Sequence, residues 1–202
     1  RFYTEVTNEL TESSLIHWHG LSPPVEMDGV PMMPRPALAP GESALYDFKN
    51  FTAGTHWMHS HVGLQEQKLL AAPLIIRETV EPLFDEQEHV VMLHDFTFRE
   101  PAEILEELRS GKGLHAGHTM SHSQMDASGQ GAGAKAMSAS MLNDIRFDAY
   151  LANERTLDDP EIVTVEKNRK IRLRVINGSA ASSMWIDTGS LKAELIAVDG
   201  HT

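Results

Sequence analysis

"SLIHWHGL", residues 14–21, and "GTHWMHSHVG", residues 54–63, decide how this chain is read. Each carries a His-x-His pair, His17 with His19 and His59 with His61, in a short apolar stretch closed by glycine. In an extended strand, residues two apart face the same side. Each pair therefore projects together, and two such strands laid side by side aim four imidazoles into one small volume. Imidazole suits copper, zinc, iron and nickel. With no carboxylate inside either pair, a hard-oxygen metal such as magnesium is disfavoured. Clustered imidazoles that stayed protonated would repel one another, so they are expected to be neutral and metal-bound. Spacing alone leaves copper and zinc about even, and a lone His-x-His more often marks a surface strand than a ligand pair.

Working outward, turn signals of Gly, Pro and Asn separate short apolar runs, which is the all-β pattern. Strands are predicted over 2–8, 14–19, 44–50, 55–60 and 72–78. The proline-rich stretch 23–42, "PPVEMDGVPMMPRPALAPGE", reads as a long ordered loop ending in a turn at Pro40-Gly41. Residues 79–88 read as a linker, with a new strand starting at His89. One helix is predicted over 100–113, with Pro101 at its first position, Ile104, Leu105 and Leu108 as its apolar stripe, and Gly111 or Gly113 as its stop. Residues 112–141 lose periodicity and read as a flexible insertion. Beyond them, Ile171, Leu173 and Val175 alternate before a turn at Asn177-Gly178. The chain divides into two β units, 1–79 and 87–202.

Composition bounds the function. The 202 residues carry 17 Lys and Arg against 29 Asp and Glu, a formal charge of −12, which argues against a nucleic-acid partner. No run of eighteen apolar residues is present, so no membrane span is expected. There is no cysteine, which excludes disulfides and thiolate metal sites. Eleven histidines and ten methionines stand against that absence, and both residue types bind metals.

Taken in order, "HWHGL", "DGVP", the proline-rich loop, "AGTHWMHSHVG" and "LAAPLII" resemble the first domain of multicopper oxidases over most of residues 1–79. "NDIRFDAYLANERTLDDPEIVTVE" and "RLRVINGSAASSMWI" are similar to the second domain of three-domain members, near the copper-resistance and laccase-like branches. The resemblance implies cupredoxin-like Greek-key β-sandwich domains, the first lacking its initial strands and the second incomplete. It implies copper as cofactor, His17 on the type 2 ion and His19, His59 and His61 on the paired type 3 ions. The implied reaction oxidises a phenol or a metal ion such as cuprous ion and reduces dioxygen to water. It also implies a periplasmic or extracellular location. Two family features are absent. The motifs that supply the other cluster histidines from a later domain, of the H-x-x-H-x-H and H-C-H kinds, do not occur after residue 61, and without cysteine the type 1 site cannot form. The chain is therefore expected to be a fragment, inactive alone, whose partner is a further cupredoxin domain or another subunit. The alternative is a periplasmic copper-binding or storage module, and a third reading is a metal-free domain pair used for contacts.

Further residues along the chain carry groups able to bind metal or orient water. "GLHAGHTMSHSQMD" offers His115, His118, Met120, His122 and Met125, a mixture of imidazole and thioether suited to Cu(I); the alternative is a solvated insertion of incidental composition. His56 is read as a loop or supporting residue facing away from the pair. Trp18 and Trp57 are read as packing, Asp28 as either a water-orienting or a turn carboxylate, and His89 and His94 as structural, on opposite strand faces.

Overall fold

A computed structural model of the chain describes residues 1–33, 35–50, 52–77, 86–110 and 145–199. It contains β1 (Phe2–Thr7), β2 (Ile16–His19), β3 (Ser43–Phe48), β4 (Gly54–Ser60), β5 (Ala71–Ile76), β6 (Glu86–Phe96), α1 (Pro101–Arg109), β7 (Ala149–Ala152) and β8 (Lys170–Asn177). The chain forms two compact units, one of residues 1–96 with 149–202 and one of residues 97–148.

In the larger unit, β1 and β3 pair antiparallel, while β2, β4 and β5 form a three-stranded antiparallel sheet. Alternation makes each sheet two-faced. Ala44, Tyr46 and Phe48 of β3 turn inward, joined by Phe2 and Val6 of β1. They meet Leu15, Trp18, Met58, Leu74 and Ile76 from the other sheet, so the core lies between the two layers. Trp18 anchors it: its ring meets Phe2 edge-on at 4.8 Å and Tyr46 at 5.0 Å. The expected packing role of Trp18 follows from its place in β2, where it faces opposite to His17 and His19.

A third sheet has the order β7-β6-β8, with β8 parallel to β6. Arg174 of β8 ties it to the sandwich: its guanidinium pairs with Glu88 at 2.7 Å and donates to Thr55 Oγ1 at 2.9 Å. Glu88 also takes Arg77, just past β5, at 2.6 Å. Here the sequence reading needs correction. Residues Glu86–Glu88 begin β6 rather than ending a linker, because their alternate charges are matched by arginines of the neighbouring segments. The alternating Ile171, Leu173 and Val175 lie in β8, and the alternation marks a strand with two unlike faces. These three are exposed, and Arg172 and Arg174 are the residues turned inward against the acids of β6. Asn177-Gly178 continues from β8 into a local turn, in which Asn177 Oδ1 accepts from Ser179 N at 3.2 Å.

In the smaller unit, α1 starts at Pro101 as expected and buries Ile104, with Leu105 and Leu108 half-buried on the same stripe. Asp148 Oδ2 accepts from Thr97 Oγ1 and Phe98 N, closing the base of this unit. Gly111, Gly113 and the five histidines and methionines of 115–125 lie outside the described residues. No helix among the described residues is long and apolar enough to cross a membrane.

Candidate metal centre

The antiparallel register of β2 and β4 sets His17 opposite His59 and His19 opposite Trp57. All four side chains therefore share the face away from the core. His61 follows one residue after β4, and its N–H donates to Leu15 O at 3.2 Å, so the alternation continues past the strand end. The result is a cluster. Ligating nitrogens of His17, His59 and His61 lie within 4.8 Å of one another. The His17 and His61 rings stack with centroids 4.3 Å apart, and His19 Nδ1 lies 3.3 Å from His59 Nε2. His59 is buried at the floor, while His19 and His61 are exposed at the mouth. All four histidines singled out in the sequence are thus brought together.

Two glycines shape the approach. Gly20 occupies the third position of a Trp18–Leu21 turn with φ +88°, closed by Leu21 N to Trp18 O at 3.1 Å. Its missing Cβ leaves room for His56, whose Nδ1 would otherwise be 2.5 Å away. His56 is therefore not a loop residue. It sits in β4, buried beneath the turn on the opposite face from His59. Gly29, φ +73°, lets its turn press against β2, where a Cβ would lie 1.9 Å from Ile16 O. This brings Asp28 onto the cluster: its carbonyl oxygen is 2.8 Å from His17 Nδ1 and its carboxylate 3.3 Å. The carbonyl can only accept, so His17 carries its proton on Nδ1 and leaves Nε2 free.

Glu66 was not legible in the sequence. It opens a 3-10 turn (Glu66–Lys68), and its carboxylate lies 3.2 Å from His59 Nδ1. Trp57 packs, as the sequence reading has it, but on the metal side of β4. Its indole stacks on His59 at 4.2 Å and leans on His19 at 4.8 Å, so it packs against the candidate ligands rather than the core. The period-two pattern could have revealed Trp57, since it shares the face of His59. Nothing local marks Glu66, which reaches His59 only through the tertiary fold.

Burial sets the protonation of the rings. Desolvation pushes His59 down to about 4, with His17 and His19 adding like-charge repulsion. It also lowers His19 and His61, again with His17 contributing. Desolvation raises Glu66, although the nearby imidazoles oppose that. Neutral imidazoles with bare ring nitrogens are what a metal requires. The donor set therefore fits an imidazole-binding ion such as copper: nitrogen donors in front, carboxylates behind the rings, no thiolate. His94, by contrast, is buried in β6 with neither ring nitrogen hydrogen-bonded, and Gly178 leaves it space; it lies apart from the cluster. His89, on the other face of β6, is 3.6 Å from Glu161.

Residues 1–81 match the family model described as multicopper oxidase. Over 98% of its length the chain is 34% identical to copper resistance protein A of Escherichia coli, covering 35% of that protein. This chain belongs to the multicopper oxidases. It is also 28% identical to the multicopper oxidase MmcO of Mycobacterium tuberculosis over 97% of this chain and 38% of that one. Among solved structures, the blue copper oxidase of Nitrosomonas europaea aligns at TM-score 0.59 and 26% identity, over 88% of this chain and 48% of that one. The laccase of Botrytis aclada aligns at TM-score 0.57 and 26% identity, over 88% and 30%. The all-β, cupredoxin-like architecture expected from the sequence is thus the one observed. The chain spans about a third of the length of the relatives it first matches.

Proposed function

We propose that His17, His19, His59 and His61 supply half of the histidine ligands of a multicopper cluster, at which dioxygen takes four electrons and four protons to give two waters. His17 is assigned to the type 2 ion and His19, His59 and His61 to the type 3 pair. The electrons come from one-electron oxidation of a phenol or a metal ion such as cuprous ion. Copper bound here would supply the redox capacity, storing electrons so that dioxygen is not released half-reduced. The chain's own residues bind and orient: Asp28 fixes the His17 ring, the buried floor keeps His59 neutral, and β2 and β4 hold the rings at one register.

The observation that carries this reading is the convergence of four imidazoles on one strand face, three of them with ligating nitrogens within 4.8 Å. His19 and His61 are exposed at the mouth, which leaves the open side for donors from a further cupredoxin domain or another subunit. The same reading carries an exported, periplasmic or extracellular setting. Because the 202 residues contain no cysteine, a type 1 site must come from elsewhere, and this chain alone is proposed to be inactive. That lack also favours a second reading for the isolated chain, copper binding or storage without oxidase activity.

Metal analysis after loading with copper and zinc in competition tests the first step. Stoichiometric copper, lost on replacing His17 and His59 together by alanine, is expected; preferential zinc would overturn the assignment. Oxygen uptake with a phenol or cuprous ion, by the copper-loaded chain alone, would overturn the proposed inactivity.

A further inference from the structure

Glu66 is delivered to the cluster by an unusual anchor. The residue before it, Gln65, is buried and makes three side-chain hydrogen bonds. Its Oε1 accepts from Ser14 Oγ at 2.8 Å and from Ser60 Oγ at 2.7 Å, and its Nε2 donates to Ser13 O at 2.9 Å. Ser13 and Ser14 lead into β2, and Ser60 ends β4. Gln65 therefore pins the start of the 3-10 turn to both strands that carry the histidines. Leu69, in the left-handed region at φ +66°, closes the turn. Glu66 follows Gln65 directly, so its Cα position is fixed relative to the cluster.

We propose that Glu66 is the positioning residue of His59: its carboxylate, 3.2 Å from Nδ1, shares with Ser60 O the proton on that nitrogen, which fixes the ring in the Nδ1–H tautomer and leaves Nε2 bare toward the cluster. This rests on the copper reading above for its functional consequence, but its structural content does not. His59 has a second acceptor within reach, Ser60 O, at 3.3 Å from Nδ1. That carbonyl, from the next residue along the chain, is the acceptor aligned with the Nδ1–H, and the carboxylate, at 3.2 Å from the same nitrogen, adds charge beside it. A histidine bound to metal through one nitrogen typically needs a partner of this kind on the other, which orients the ring and raises its basicity. Asp28 performs a comparable service for His17 through its main-chain carbonyl, 2.8 Å from Nδ1. Fixing His59 also has consequences for its neighbour. With Nε2 bare, His59 accepts from His19 Nδ1–H in the metal-free state, so loading the cluster displaces that proton.

The test uses the full chain without metal. Long-range proton–nitrogen correlation spectra of labelled protein near neutral pH report which nitrogen of each imidazole is protonated. His59 is expected as the Nδ1–H tautomer in the wild type, and as a mixture rich in Nε2–H in Glu66→Ala. Glu66→Gln retains an acceptor oxygen of the same reach, so it is expected to restore the Nδ1–H form. Copper titration of the same proteins is expected to show roughly 10–100-fold weaker binding for Glu66→Ala and recovery to within a few-fold for Glu66→Gln. A His59 tautomer unchanged in Glu66→Ala would mean Ser60 O suffices, and would overturn the proposal. So would a Glu66→Gln protein with restored tautomer but copper binding as weak as Glu66→Ala, since charge rather than positioning would then be at work. The tautomer measurement needs no metal. Failure of the wild type to take up copper would sink the functional reading and leave the assignment of Glu66 to be decided by the spectra.

Discussion

Gly29 and Gly41 form a matched pair within one sandwich, and comparing them measures how tightly the Asp28 turn must press on β2. Both hold left-handed backbone, φ +73° and +81°. A Cβ at Gly41 would meet nothing within 4 Å, whereas at Gly29 it would lie 1.9 Å from Ile16 O, 2.5 Å from Ile16 C and 2.8 Å from His17 N. Alanine at either position costs about 1–2 kcal/mol for the backbone conformation alone. At Gly29 the collision is with strand backbone, which cannot swing aside, so the turn itself must give way. Restoring even a 3.0 Å contact needs a retreat of about 1.1 Å. A movement of that size carries Asp28 O, now 2.8 Å from His17 Nδ1, out of hydrogen-bond range. Losing that bond costs a further ~0.5–1.5 kcal/mol and frees the His17 ring to rotate. Gly41→Ala is therefore expected to lose about 1–2 kcal/mol in urea unfolding with copper affinity unchanged. Gly29→Ala is expected to lose at least about 1 kcal/mol more, with measurably weaker copper binding. Equal stability losses together with equal copper affinities would refute the argument that close approach of this turn holds His17.

Further outcomes follow from other contacts. Trp18→Ala removes the ring at the centre of the sandwich and is expected to cost about 3–5 kcal/mol in urea unfolding, as for other buried aromatic truncations; a loss below about 1 kcal/mol would contradict its placement. Gln65→Ala leaves Ser14 Oγ and Ser60 Oγ without their buried acceptor and is expected to cost about 1–3 kcal/mol, with weaker copper binding because Glu66 loses its anchor. Trp57 touches the His59 and His19 rings, so cupric ion at the cluster is expected to quench its fluorescence, and Trp57→Phe to remove most of the quenching that copper causes. Burial lowers the pKa of His94 in the folded state, so its neutral form contributes stability that is present above the unfolded imidazole's value near 6.5 and lost as pH falls through its folded value. The urea midpoint of the metal-free chain is expected to drop between about pH 7 and pH 5, and less steeply in His94→Gln; identical profiles would refute the assignment.

The neighbouring residues explain why some features could be read early and others not. His17, His19, His59 and His61 were visible because strand alternation is a local rule, and the glycines that bound their motifs mark where the strands must stop. The same rule located β8 but left its orientation open. Alternation of Ile171, Leu173 and Val175 reveals a two-faced strand, but not which face the rest of the chain covers, and in this fold the arginine face turns inward against Glu86 and Glu88. The beginning of β6 was hidden for a related reason. A run of Glu, Gln and Glu looks like a solvated linker until the guanidinium groups that pair with it are known.

By itself the sequence determined the all-β character, the pairing of each His-x-His on one strand face and the absence of any thiolate ligand, because each depends only on residue type and on backbone period. Tertiary structure alone decided the register that sets His17 opposite His59, the approach of Asp28 through Gly29, and the arrival of Glu66 behind His59. These are contacts between segments eleven or more residues apart or across a turn, and their geometry is fixed by packing and hydrogen bonds such as those of Gln65 rather than by any local preference of the chain.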